Sequence, residues 1–276
     1  MASDAGVGLR YKDKVVIVTG GSKGIGEGVV RVFVKHGSKV VFCARGMDSG
    51  KDLEEELRKS GPGECMFVTC DVTREDDIKR LIDVTVEKYG RIDCLVNNAG
   101  QHPPFQSIDD VSAQDFRDLL NMNLVSYFLA AKYALPYLRK TEGNIINMSS
   151  LVGMIGQNGA VPYVSTKGGI IAMTKAMAVD ESKHNVRVNC ISPGNVWTPM
   201  WEEQVKNASD PEAMLRGGND AQLIGRMGTL EESGNATLYL AAEATFCTGI
   251  NLVLSGGAEL NYACKNQRKS RSSIYE

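Results

Sequence analysis

Short apolar runs rich in β-branched residues recur seven times along this chain, each separated from the next by a longer stretch, most with helical spacing. That rhythm limits the available folds more than any other feature. The runs occupy residues 15–18, 40–43, 66–69, 94–96, 144–147, 187–191 and 250–254, and the spacing predicts helices at about 25–36, 49–60, 74–89, 112–139, 162–183 and 229–241. The runs are apolar throughout rather than alternating, so both faces of each strand must be covered, as in a parallel sheet flanked by helices. The expected fold is α/β: a single-domain, doubly wound Rossmann arrangement around a seven-stranded parallel sheet. No shift of composition and no Pro/Gly/Ser linker divides the 276 residues. Residues 1–13 read as an N-terminal extension, 14–264 as one domain, and the locally basic 265–276 as a disordered tail. The segment 193–228 breaks the rhythm, carries both tryptophans and reads as a flap.

Composition removes several functions. A net charge of -2 provides no basic field for nucleic acid, and no apolar run approaches the roughly 18 residues of a membrane span. The N-terminus has no apolar signal core, so a cytoplasmic protein with neither nucleic acid nor membrane as partner is expected. Seven cysteines, an odd number without CxxC spacing, read as free thiols in a reducing compartment. Three histidines without an HExxH or paired Cys/His pattern give no metal site.

The first run leads directly into Thr19, Gly20, Gly21, Ser22, Lys23, Gly24, Ile25 and Gly26, after which a helical pattern begins. Glycines at 20, 24 and 26 permit a tight turn, close approach to a pyrophosphate and tight helix–strand packing, with the anion at the helix N-terminus. Strand before and helix after is the context a dinucleotide loop requires. An acidic residue ending the second run would accept from a ribose 2′-hydroxyl; this chain has Ala44 and then Arg45, with Lys23 in the loop. Two cations without a carboxylate suit a 2′-phosphate, so NADP(H) is favoured and NAD(H), with Asp48 reaching the ribose, is the alternative. Asp71 and Val72 follow the third run. The carboxylate there either accepts from an adenine amino group or caps the next helix, a role for which Thr73, with Asp76 three residues later, competes. Asn97, Asn98, Ala99 and Gly100 form a small polar turn able to lie under a nucleotide.

Tyr163 and Lys167 stand one helical turn apart and share a face. A phenol with a reference pKa of about 10 shuttles protons poorly at neutrality, and an adjacent ammonium favours its ionised form. Ser150, thirteen residues before Tyr163, ends the fifth run and can hydrogen-bond a substrate oxygen. A nucleotide loop and an acid/base pair from separate segments together point to an oxidoreductase.

TGGSKGIG at 19–26, NNAG at 97–100, Asn123 within NMNL, Ser150, Tyr163 with Lys167, and PGNVWT at 193–198 are similar to the motifs of the short-chain dehydrogenase/reductase family. The resemblance spans nearly the whole chain. It implies a catalytic tetrad of Asn123, Ser150, Tyr163 and Lys167. Tyr163 would be the acid/base, Ser150 would orient the carbonyl, Lys167 would lower the tyrosine pKa, and Asn123 would hold a relay water. It also implies cofactor contacts from Asn98, Val196 and Thr198. Within the family, NNAGQHPP, SSLVGMIGQ, NCISPGNVWTP, FCTGI and GGAEL resemble the type 14 branch of the 17β-hydroxysteroid dehydrogenases. That likeness implies a small-molecule alcohol or ketone as substrate, a steroid first. L-fucose oxidation or broad carbonyl reduction is the alternative, and a catalytically idle dinucleotide-binding scaffold the reading from another class. It further implies a homotetramer and a substrate pocket lined by His102, Gln157 and Trp201, with Tyr262 reaching toward it. Its NAD preference rests on an acidic residue where this chain has Ala44.

Overall fold

In a computed structural model that describes residues 8–260, all seven runs become strands: β1 (Val15–Thr19), β2 (Lys39–Ala44), β3 (Glu64–Thr69), β4 (Cys94–Asn97), β5 (Asn144–Met148), β6 (Arg187–Pro193) and β7 (Asn251–Leu254). They pair in one parallel sheet ordered β3-β2-β1-β4-β5-β6-β7. The order reverses between β1 and β4, where the carboxyl ends of the strands leave a crevice.

Ten α-helices are described: α1 (Gly24–Lys35), α2 (Met47–Arg58), α3 (Glu75–Tyr89), α4 (Ala113–Leu120), α5 (Ser126–Thr141), α6 (Val152–Ile155), α7 (Val161–Glu181), α8 (Pro199–Lys206), α9 (Pro211–Asp220) and α10 (Leu230–Ala242). Successive strand residues point to opposite layers, which is why the strands carry no polar face. Val16, Val18, Val40 and Phe42 pack with α1, α2 and α10. Ile17, Val41, Cys43 and Leu95 pack with α3, α5 and α7.

Helices α1 and α10 meet at glycines. A β-carbon at Gly28 would lie 2.3 Å from the Leu230 carbonyl oxygen, and one at Gly234 2.5 Å from the Gly28 carbonyl oxygen. Alanine at 28 would gain roughly 1 kcal/mol of helix propensity. The clash is backbone on backbone and costs more, about 1–3 kcal/mol for overpacking. Gly28→Ala is therefore expected to lower the Tm by several degrees in a thermal melt; an unchanged or higher Tm would refute the crossing.

Three local features depart from the sequence expectation. The helix expected over 112–139 is α4, a π-helical turn over Asn121–Val125, and α5. The flap at 193–228 contains α8 and α9 and is closed by a parallel bridge between Val196 and Gly228. Both flap helices carry start signals in the sequence, Thr198-Pro199 and Asp210-Pro211, whose side chains accept from Trp201 N and Ala213 N. Lastly, Tyr11, inside the expected extension, is buried; it meets the edge of Phe33 at 5.5 Å, and its hydroxyl accepts from Asn144 Nδ2 at 3.1 Å. Tyr262, the tail at 265–276 and residues 1–7 lie outside the described residues. Six cysteines are described, all free, and no helix among the described residues is long and apolar enough to cross a membrane.

Candidate active site

A cleft of about 590 Å³ opens at the carboxyl edge of the sheet, within the size range of small-molecule sites. Its floor is the loop between β1 and α1. Gly20 adopts φ +65°, where a side chain is strained, and a β-carbon at Gly26 would lie 2.1 Å from the Gly20 carbonyl oxygen. The loop is therefore built for direct backbone approach. The start of α1, with Lys23 at the N-cap, has no side-chain cap, and such an end favours a bound anion. These features fit a dinucleotide pyrophosphate. Gly20, Lys23, Gly24 and Ile25 line the cleft, whereas Gly26 packs beneath it.

Asn98 lines the cleft and also holds the loop. Its Nδ2 donates to the Thr19 and Gly20 carbonyls, both at 3.0 Å, while the backbone N–H groups of Asn98 and Ala99 donate to Thr19 Oγ1. Ala44, Arg45, Ser49 and Val72 form the far end, beyond the end of β2. Asp71 is not in the lining. Its carboxylate accepts from Thr73 N at 3.0 Å and Thr73 Oγ1 at 2.8 Å, and Arg74, not Thr73, holds the N-cap of α3. Partial burial works to raise the Asp71 pKa, but the two Thr73 bonds, with Arg45 and Arg74 nearby, hold it below its ordinary value.

Tyr163 and Lys167 project from the first two turns of α7 into the cleft. Lys167 Nζ donates to the Met148 carbonyl at 2.9 Å and lies 5.6 Å from the Tyr163 ring centroid. Burial pushes its pKa down to about 8. Burial likewise raises Tyr163 above its ordinary value, offset in part by a hydrogen bond with Ser150. The expected support of the phenol by Lys167 therefore rests on proximity, the ammonium standing beside the ring rather than hydrogen-bonded to the hydroxyl. Dry surroundings disfavour phenolate and ammonium alike, and the ammonium is bonded to a carbonyl rather than to the phenol.

Asn123 sits in the π-helical turn, fully buried; such turns recur at functional sites. Its Oδ1 accepts from Gln101 N, and its Nδ2 donates to Gln101 O and Thr166 Oγ1, at 3.0, 3.0 and 3.2 Å. It ties the segment after β4 to α7. Gly100 keeps the adjoining space open: a β-carbon there would be 3.2 Å from Asn123 Oδ1 and 3.7 Å from Lys167 Nζ.

His102 and Gln157, 55 residues apart, are brought together over Tyr163. His102 Nδ1 donates to the Pro103 carbonyl at 2.6 Å, Nε2 lies 3.1 Å from the Gln157 amide oxygen, and the ring centroid stands 4.1 Å from that of Tyr163. Trp201 is placed differently. A β-carbon at Gly218 would meet its ring at 3.2 Å, so the indole packs against α9 and is not in the cleft lining. Val196 is buried in the bridge that closes the flap, while Thr198 lines the cleft as the N-cap of α8. Ser150 and the exposed Gln157 are outside the lining, but each bonds a residue that forms it, Tyr163 and His102 respectively. Sequence reasoning missed Gln101 and Met148. Both act through backbone atoms, which no motif records.

Residues 14–209 match the family model described as short chain dehydrogenase. L-fucose dehydrogenase of Bos taurus is 55% identical over 259 residues, which is 94% of this chain and 94% of that protein. The enzyme of the same name from Mus musculus is 53% identical, covering 96% of this chain and 95% of its own. Among solved structures, the L-sorbose reductase of Gluconobacter frateurii complexed with NADPH and L-sorbose superposes with a TM-score of 0.86 at 27% identity, over 91% of this chain and 98% of that one.

Proposed function

The chain belongs to the short-chain dehydrogenase family and is an NAD(P)-dependent oxidoreductase acting on CH–OH groups; from that premise we propose that it oxidises a hydroxyl of a free sugar of the L-fucose kind. What carries this reading is the near full-length likeness to two mammalian proteins named for L-fucose. The site is consistent with it, because His102 and Gln157 put polar groups beside Tyr163, where a hydroxyl-rich ring needs partners. A steroid, the first expectation from the sequence, becomes the second reading, since the relatives carry a sugar in their names.

The dinucleotide would lie with its pyrophosphate on Gly20, Gly24 and the start of α1, and with its adenosine end near Val72. Arg45 and Lys23 stand as partners for a 2′-phosphate, which favours NADP(H) over NAD(H). When bound, it supplies the hydride acceptor or donor at its nicotinamide ring. Tyr163, as the phenolate, would take the hydroxyl proton of the alcohol at its Oη in oxidation, and as the phenol would give one to a carbonyl oxygen in reduction. Ser150 bonds Tyr163 and shares the substrate oxygen. Lys167 sets a positive charge beside that exchange, and Asn123 holds Gln101 and α7 in register around it.

The test is initial-rate oxidation of L-fucose, other aldoses and 17β-hydroxysteroids with NADP+ and with NAD+. L-fucose is expected to give the highest kcat/KM; a steroid ahead of every sugar would overturn the proposal. The homotetramer belongs to the same proposal, with exposed Phe128 on α5 and Val179 on α7 as apolar surface available to it. Light scattering on the eluted protein reads the mass directly.

A further inference from the structure

Lys167 Nζ stands over two aromatic rings. Its Nζ lies 5.6 Å from the centroid of Tyr163 and 5.8 Å from that of Tyr127, which sits on α5 two residues beyond the π-helical turn. Tyr127 is 1% exposed. Its hydroxyl donates at 3.2 Å to the Met148 carbonyl, the same oxygen that accepts from Lys167 Nζ at 2.9 Å. Its own carbonyl accepts from Asn97 Nδ2 at 3.4 Å, and Asn97 continues through Asn147 to Thr174. Phenylalanine would fill the same space without burying a hydroxyl, a cost accepted only where the hydroxyl has a partner. Here that partner is the oxygen on which Lys167 docks.

We propose that Tyr127 is a positioning residue for Lys167: its ring supports the buried ammonium, and its hydroxyl fixes the Met148 carbonyl to which that ammonium is anchored. It acts through Lys167 rather than on the substrate. The inference rests on the reading of Lys167 as the cationic companion of Tyr163. Burial opposes a charge on Lys167, and an aromatic face opposes that loss. The titratable groups facing it are Tyr163 on its own helix, Tyr127 on α5 and Cys190 on β6. Burial raises all three, Cys190 to about 11. Lys167 is therefore the group in this cluster that loses its proton near pH 8.

The experiment is the pH profile of kcat/KM for the full-length enzyme, from about pH 6 to 10, across the ordinary lysine range. It compares the parent with Tyr127→Phe, Tyr127→Leu, and pentafluorophenylalanine incorporated at 127, an isostere with an inverted ring quadrupole. Tyr127→Phe loses one hydrogen bond and should turn over about two- to tenfold more slowly with its alkaline limb in place. Leucine and the fluorinated ring should move that limb to lower pH by about one unit, the scale of a desolvated cation–π contact. A limb that stays fixed in both, or moves as far in Tyr127→Phe, overturns the support by the ring. Parent turnover in Tyr127→Phe overturns the role of the hydroxyl. Should the leucine variant not fold, the isostere decides. Undiminished turnover in Lys167→Met would instead reject the site reading itself, which separates the two failures.

Discussion

Tyr163→Phe is expected to lower turnover at least about a hundredfold, the scale of a lost general acid/base, while nucleotide affinity stays at the parent level. The substitution keeps the ring that stands against His102 and removes only the hydroxyl bonded to Ser150. Steady-state rates paired with a nucleotide fluorescence titration separate chemistry from binding, and near-normal turnover would reject the mechanism. The pH dependence has a definite sign. Burial holds the phenol above its ordinary value, which favours the protonated form that donates in reduction over the phenolate that oxidation needs. The loss falls on Lys167, whose charge goes as pH rises through about 8. Carbonyl reduction should therefore be flat below that pH and decline above it; a rate that keeps rising beyond pH 9 would contradict the assignment of the ammonium.

Arg45→Ala is the second large effect. Arg45 lines the far end of the cleft beside Ala44, the position at which an acidic residue would meet a ribose hydroxyl. Hydrogen bonds to charged groups contribute about 1.5–3 kcal/mol, so NADPH affinity should fall roughly ten- to a hundredfold while NADH affinity barely moves. Ala44→Asp should act in the opposite sense on the two cofactors, repelling a 2′-phosphate and accepting from a 2′-hydroxyl. Titrations belong at one fixed ionic strength, because the effect is between charges. Parent enzyme that binds NADH as tightly as NADPH would overturn the cofactor assignment, whatever the variants do.

The strands, the phosphate loop and the Tyr163–Lys167 spacing were legible because each is local. Burial on both sides leaves a continuous apolar run, a tight turn leaves glycines, and a shared helical face leaves a four-residue interval. The helix over 112–139 was readable as helix but not as interrupted, since nothing in NMNLV distinguishes a π-helical turn from an α-helical one. The flap helices were legible in principle, from Thr198-Pro199 and Asp210-Pro211, and went unread behind the irregular rhythm around them.

By itself, the order of residues determined the sheet, the dinucleotide cradle and the class of chemistry, all of which follow from covalent neighbours and periodicity. Only the folded chain decided that His102 meets Gln157 above Tyr163, that Trp201 turns toward α9, and that Lys167 stands over two rings and docks on the Met148 carbonyl. Those contacts join segments many residues apart. Their energetics depend on how much water the packed layers leave around each charge, and that quantity has no counterpart in a linear sequence.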